Sequence, residues 1–417
     1  MAITTDTTTV KLSGSPKGHS SHSYSDYSKS QNYVFRNFCE SHFLQALDYV
    51  TSAFVRRDDA ASSSCTDLGF DARKSATHIR VADFGCSYGF NTLEHASLTF
   101  SSILQAAISR DIQRRIELQY IFSDLPQNDF NALFRSLNPL GPPLKNFRRN
   151  ENCCEESMEH VKFFAAGVPG SFYTRLLPEQ SVHFSICVFA MHWLSQVPAK
   201  VMQRGSKSWN GGHAWIDGPN KAHVFEAYSQ QFHEDAKTFL RCRLEELVKG
   251  GVMFLVAVSR KNIELGEQSN LFGVDDWTED FDSCWQDMAD EGLVSEEERD
   301  MFNVPLFTFH PSELQSAVES FKGTLEVLKI ELMEDCEKMH SDECKQLISD
   351  QEAFSRRQVG KIASLLMPLV VSHIGEARAQ VLFRKFQVKA SDRAKTLQHE
   401  KIKGLYMNVV VAILRKI

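Results

Sequence analysis

The chain has 417 residues, 42% of them hydrophobic, and a formal net charge of −7. That length and apolar content supply a large core for one or two domains, and the acidic balance argues against a nucleic-acid or anionic-membrane footprint. No apolar run reaches the ~18 residues a membrane-spanning helix needs, and the ten cysteines show neither C-x-x-C spacing nor disulfide-framework density, so reduced thiols and a cytoplasmic location are expected.

Residues 1–23 are rich in Ser, Thr, Gly and His, with no apolar stretch and no arginine before Arg36. This composition predicts a disordered tail rather than a secretory signal or a transit peptide. Over 28–54, Phe35, Phe38, Cys39, Phe43, Leu47, Val50 and Phe54 recur at steps of three or four, which predicts an amphipathic helix. A polar loop over 58–77 leads to an apolar strand at 79–84, and Leu93, Ala96, Phe100, Ile103 and Ala107 mark the helix after it. Further strands are expected at 118–122, 161–166, 184–190 and 252–258. A helix over 225–248 is expected to stop at Gly250–Gly251. The charged loop 142–160 has no period and no assigned function.

Near-continuous apolar strands alternating with helices predict an α/β fold with a parallel sheet covered on both faces. Strands at 324–332 and 405–414 are placed to close that sheet at one edge. The expected core therefore combines 24–260, 321–335 and 400–417. The helical segments 261–320 and 336–399, rich in Glu, Asp and Lys, form a cap over the C-terminal strand ends, where open α/β sheets bind ligands.

The stretch 79–92 reads I-R-V-A-D-F-G-C-S-Y-G-F-N-T: an apolar strand, a glycine turn and a helix start. Backbone N–H groups at such a turn approach a polar ligand closely. The G-x-x-x-G spacing is not the G-x-G-x-x-G of nicotinamide enzymes. Asp124, which ends the second strand, lies 39 residues beyond Gly85; its carboxylate suits two ribose hydroxyls, although an Asp there also serves as a cap or turn residue. Asp83 can hold an amine and the turn's N–H groups a carboxylate, the charges of S-adenosylmethionine.

Further motifs follow in order: S-Y-S-D-Y-S-K-S-Q at 23–31, F-S-D-L-P-Q-N-D-F-N-A-L-F at 122–134, G-V-P-G-S-F-Y-T-R-L-L-P at 167–178, A-M-H-W-L-S-Q-V-P at 190–198 and D-M-F-N-V-P at 300–305. Together they resemble the SABATH family of S-adenosylmethionine-dependent methyltransferases, from about Tyr24 to the last strand. The resemblance implies a Rossmann-like class I methyltransferase sheet, parallel with an antiparallel edge strand, under an α-helical cap that forms the acceptor pocket. It also implies a homodimer. The implied acceptor is the carboxylate of a small aromatic or hydrophobic acid. N-methylation of a purine-like ring, or ligand binding without turnover, remain the alternatives. Position by position, Ser28, Asp83, Asn91, Asp124, Leu125, Ser171 and Phe172 match the family's cofactor contacts. Tyr24, Gln31, His192 and Trp193 match the residues lining its acceptor site. Asn210, Asp300, Phe302 and Asn303 match a magnesium position of some members, although a surface turn explains them equally. The sequence departs from the pattern at Tyr27–Ser28, at Phe189 where Tyr is usual, and at Ile374 in the place of a Phe.

Methyl transfer from a sulfonium to a carboxylate needs no general base, because an acid of pKa near 4 is ionised at pH 7. The task is alignment and exclusion of water. Gln31 and Trp193 carry suitable N–H donors for the two oxygens and are expected to position the acceptor. His192 is a pocket wall or a structural histidine, and Trp277 and Trp285 pack the cap or shape its pocket.

Overall fold

Seven strands form one sheet in the order β3-β2-β1-β4-β5-β7-β6: β1 Thr77–Phe84, β2 Ile116–Asp124, β3 Val161–Pro169, β4 Val182–Val188, β5 Leu247–Ser259, β6 Leu325–Met333 and β7 Asn408–Lys416. The computed structural model describes residues 29–55, 76–112, 114–137, 161–263, 277–336, 350–396 and 407–417. Tyr24, Ser28, Tyr27, the 142–160 loop and the side chain of Trp277 lie outside the described residues. Strands β1 to β5 pair in parallel, and β7 runs antiparallel between β5 and β6. The sheet is thus mostly parallel, with its one reversed strand set just inside the β6 edge. The inner strands are buried on both faces, which is why they read as unbroken apolar runs. The outer strands β3 and β6 expose much of their length and carry mixed sequences.

Helices cover both faces. The first amphipathic stretch is α1 Lys29–Val34, a π-helical turn Phe35–Cys39 and α2 Glu40–Phe54. Its apolar stripe presses Phe43 against the rings of Phe184 and Phe254 on β4 and β5, with centroids 5.6 and 5.1 Å away. The glycine turn feeds α3 Phe90–Ser109. A short α4 Phe130–Ser136 is capped by Asp129, whose carboxylate accepts the Ala132 N–H. On the other face lies α5 Lys221–Glu246.

The expected helix stop at Gly250–Gly251 is corrected: α5 ends at Glu246, and both glycines belong to β5. The carbonyls of Glu245 and Glu246 accept the N–H groups of Gln180 and Ser181, so the backbone entering β4 ends the helix two residues early. Gly250, at φ 79°, then lies where the β4–β5 register shifts.

A separate set of helices comprises α6 Trp277–Asp290, α7 Glu296–Met301, α9 Gln351–Ile374 and α10 Glu376–Thr396. They share an apolar cluster of their own around Phe281, Trp285, Phe302, Leu366 and Phe386. Trp285 stacks on Phe302 at 4.6 Å and is buried, as its core reading predicts. The helix α8 Pro311–Glu319 falls inside the segment expected to be cap, yet it buries Leu314, Ala317 and Val318 in the cluster shared by the sheet and α5. Glu313 fixes it there, accepting from Ser229 on α5 at 2.9 Å and pairing at 2.8 Å with Arg260, which follows β5.

Candidate active site

The glycine turn is locked onto the end of β2. Gly85 and Cys86 donate their N–H groups to the Ser123 carbonyl at 2.8 and 3.1 Å. Ser87, at φ 55°, donates its N–H to Asp124 Oδ2 at 2.7 Å, and its carbonyl accepts from Asn128 Nδ2 at 3.0 Å. Gly85 sits at φ 76°, where an added Cβ would meet Ala190 Cβ at 2.4 Å, so no other residue fits without displacement.

Asp124 is partly buried, and each of its oxygens accepts one backbone N–H, from Ser87 and from Leu125, both at 2.7 Å. One lone pair per oxygen remains for hydroxyl donors. Burial pushes this carboxyl up to about 6, against the opposing pull of the two N–H groups. Asp83 is buried at the end of β1, and its Oδ2 accepts from Thr92 Oγ1 at 2.7 Å and the Tyr120 hydroxyl at 3.0 Å. Both bonds fall on one oxygen, which leaves Oδ1 for a cationic ligand.

Asp83 and the glycine turn face a cleft whose lining includes Gln31, Asp83, Gly85, Ser87, Asn91 and Phe189. Gln31, Asp83 and Asn91, 60 residues apart along the chain, are brought together here. Gln31 reaches the cleft because α1 is docked on α3: Asn32 Nδ2 donates to Glu94 at 2.5 Å and Arg36 pairs with the same carboxylate. The lining also includes His95, which the sequence reading missed. Its ring lies 4.4 Å from that of Phe35, and its buried Nδ1 is 3.6 Å from Asp83 Oδ2, too far for a hydrogen bond.

The turn after β3 joins the same place. Gly170 N–H donates to the Asp124 carbonyl at 2.8 Å, Ser171 Oγ accepts from the Tyr173 N–H at 3.3 Å, and Phe172 reaches the Gly85 turn, 3.7 Å from where a Cβ would stand. Asp83, Asn91, Asp124, Leu125, Ser171 and Phe172 therefore collect at the C-terminal ends of β1 to β3. Behind them lies Arg243, wholly buried, which the sequence reading also missed because its spacing to Glu246 resembles a surface helix pair.

His192 and Trp193 follow β4. His192 is buried, and burial lowers its imidazole to about 3, so it is neutral at physiological pH. Trp193 is partly exposed. Its carbonyl accepts the Tyr173 hydroxyl at 2.7 Å, and its side chain packs on the cap cluster. The lining of the cleft that holds Gln31 does not include Trp193. Of the two expected acceptor anchors, Gln31 lies by the glycine turn and Trp193 packs against the cap cluster.

At the positions expected to hold magnesium, the one carboxylate is already ion-paired, while Asn210 Oδ1 is buried without a hydrogen-bond partner among the described residues. Asn210, Asp300, Phe302 and Asn303 are all buried, which removes the surface-turn reading as well. Asp300 Oδ1 accepts from Arg299 Nε and Nη2 at 2.9 and 2.7 Å, and Oδ2 from Arg204 Nη2 at 2.9 Å. Two guanidiniums thus neutralise the one carboxylate of the set. Asn210 Nδ2 donates to Asn303 Oδ1 at 2.8 Å and to the carbonyls of His213 and Trp215, while Phe302 stacks in the cap. Among the described residues no group of three His, Cys, Asp or Glu side chains offers a metal site.

Residues 55–416 match the family described as SAM-dependent carboxyl methyltransferase. The chain is 35% identical over 323 residues to gibberellic acid methyltransferase 1 of Arabidopsis thaliana, covering 76% of this chain and 80% of that protein. It is 34% identical over 336 residues to indole-3-acetate O-methyltransferase 1 of Oryza sativa subsp. japonica, covering 79% and 80%. A solved structure of loganic acid methyltransferase with SAH superposes with a TM-score of 0.70 at 25% identity, over 96% of this chain and 98% of that one. With its mostly parallel sheet, locked glycine turn and strand-end carboxylates, the chain belongs to the SABATH family of S-adenosylmethionine-dependent carboxyl methyltransferases.

Proposed function

We propose that the cleft at the β1–β2 strand ends holds S-adenosylmethionine and that the acceptor is the carboxylate of a small aromatic or otherwise hydrophobic acid, presented between the glycine turn and the cap. Bound there, the cofactor supplies the methyl group and a neutral thioether as leaving group. In this reading Asp83 Oδ1 takes the amine, Asn91 and the turn N–H groups face the cofactor's carboxylate, and Asp124 takes the ribose hydroxyls through its remaining lone pairs. Leu125, Ser171 and Phe172 border the adenine. Gln31 donates to one acceptor oxygen and Trp193 approaches from the cap, with His192 in the surround. Since no proton leaves a carboxylate, a neutral His192 is compatible with turnover.

The observation that carries the reading is Gln31, an amide donor sharing one cleft with Asp83 and Asn91. Relatives named for gibberellic acid and indole-3-acetate support a carboxylic acceptor. A tritiated-methyl assay over gibberellic acid, indole-3-acetate, benzoate, salicylate, cinnamate, jasmonate and farnesoate, with xanthine as the ring-nitrogen arm, identifies it. Labelling of xanthine alone refutes the carboxylate reading. Gln31→Ala loses a donor to a charged oxygen, about 1.5–3 kcal/mol, so acceptor kcat/KM falls roughly 10- to 150-fold while SAH affinity holds. Unchanged turnover rejects the assignment. The free state of the described cysteines Cys39, Cys86, Cys187, Cys242, Cys284 and Cys336 supports a reducing, cytoplasmic setting. The homodimer is carried by the family resemblance and is checked by light scattering.

A further inference from the structure

Arg243 is 0% exposed and Glu246 1%, so α5 ends in a charged pair without water. Arg243 Nε and Nη2 donate to Glu246 at 2.7 and 2.8 Å, Nη1 donates to the Phe172 carbonyl at 2.6 Å, and Nη2 to the Thr174 carbonyl at 3.0 Å. Glu246 Oε1 accepts the N–H groups of Leu176 and Leu177 at 2.7 and 3.1 Å. The pair therefore binds four backbone groups of one segment, 172–177, that has no regular helix or strand to hold it. The guanidinium also stacks 4.0 Å from the ring of Phe84, the residue before Gly85, and 5.2 Å from Phe239, which meets Phe172 edge-on at 5.8 Å.

Burying two charges is costly, and well-packed apolar residues of similar volume stabilise a fold at least as well. Stability alone therefore gives a poor account of this pair. Its contacts run instead to two neighbouring turns: the glycine turn, which lines the cleft, through Phe84, and the Ser171–Phe172 turn through the backbone. We propose that Arg243 and Glu246 are positioning residues for the cofactor, setting the Phe172 ring and the Ser171 backbone at a fixed height beside the glycine turn. The inference rests on the reading that Phe172 borders the adenine. Neither residue touches the acceptor side, so their influence falls on cofactor affinity and spares the methyl-transfer step.

The test is the double variant Arg243→Met/Glu246→Leu, which removes both charges together and avoids stranding one of them. It is expected to melt cooperatively, at a lower temperature than the parent because four backbone groups lose their partners, while KM for S-adenosylmethionine and Kd for SAH rise about tenfold, in line with displacement of a positioning group by a fraction of an ångström. Acceptor KM, and kcat at saturating cofactor, stay near the parent values. Arg243→Lys keeps the charge but loses the planar fork, and is expected to show the same selective loss. Parent-like SAH affinity in both variants, with weakened binding in Phe172→Ala, overturns the inference and leaves the adenine assignment standing. Parent-like affinity in Phe172→Ala overturns both. A double variant that does not fold, with a Lys variant that binds SAH normally, marks the pair as structural and also overturns the proposal.

Discussion

Replacing Asp124 by Asn tests the proposed cofactor site most sharply, because the structure fixes what the amide can do. In the parent, both oxygens accept backbone N–H groups at 2.7 Å. An Asn offers one oxygen and one NH₂, so its NH₂ must face either the Ser87 or the Leu125 N–H, donor against donor. A buried donor left without its acceptor costs about 1–3 kcal/mol, and the glycine turn, pinned through Ser87, loosens. On the ligand side a charged acceptor for a hydroxyl disappears, worth about 1.5–3 kcal/mol, or roughly 10- to 150-fold in SAH affinity. The carboxyl's position near 6 adds a pH signature. Hydroxyl donors bind the ionised form, so parent affinity is full at pH 7.5 and falls about tenfold by pH 5, one unit below the midpoint. The variant is flat over that range. Stability runs the other way: the folded state holds the proton more tightly than an unfolded Asp of 3.8, so the group destabilises the fold above about 6, and that penalty is relieved as pH falls through the window from 6 to 3.8. Calorimetric titration of SAH at several pH values, with thermal melts of the free protein alongside, reads both. Equal SAH affinity in Asp124→Asn and parent, or a parent affinity independent of pH, refutes the reasoning.

Gly85→Ala forces a left-handed alanine, about 1–2 kcal/mol, onto a position where its Cβ would stand 2.4 Å from Ala190 Cβ, with overpacking of about 1–3 kcal/mol more. Thermal unfolding should register a loss of roughly that sum together with weakened SAH binding; a parent-like melt and affinity would show that the turn tolerates a side chain. Because Arg204 and Arg299 already neutralise Asp300, dialysis against EDTA is expected to leave methyl transfer intact. Activity lost on chelation and restored by magnesium would contradict the fit found at Asp300.

The parts of this architecture visible in the sequence were those in which local pattern and tertiary role agree. The run over 79–84 is apolar because β1 lies in the middle of the sheet, covered on both sides. Asp124 was visible as a polar stop to an apolar strand, and its place beside the glycine turn follows from the parallel β1–β2 register. Other features depend on partners far along the chain. Asp300 matched a magnesium position by its local motif, but Arg204, 96 residues earlier, takes one of its oxygens. Arg243 and Glu246 have the spacing of an exposed helix pair, and only their burial beside the 172–177 segment separates them from one. For Pro311–Glu319 the apolar stripe is the same whether it faces cap or sheet; the Glu313–Arg260 contact decides. Gly250–Gly251 could equally end a helix or kink a strand, and backbone pairing of Gln180 and Ser181 made the choice.

The cleft and the helical cap are built by different physics, and on the proposal that the cap forms the acceptor pocket this bears on where acceptor selectivity resides. The side proposed for the cofactor is rigid: its carboxylates are pinned by backbone N–H groups and neighbouring hydroxyls, and its turns by carbonyls of the central strands. The cap side is held by apolar packing around Phe281, Trp285 and Phe302, where changes of side-chain volume are accommodated at modest cost so long as the total is kept. Two departures from the family pattern fall on apolar positions, one beside the glycine turn and one in the cap. Phe189 lines the cleft without the hydroxyl a tyrosine would bring, and Ile374 is buried in the cap cluster in the place of a larger ring. Each makes its surroundings more apolar or changes their volume, and neither touches the pinned carboxylates. A carboxylate acceptor asks for no proton transfer, and His192, neutral through burial, supplies none. Discrimination among acids therefore falls to the shape of the apolar wall, which sets how closely an acid's oxygen can be brought in line with the methyl group while water is kept away.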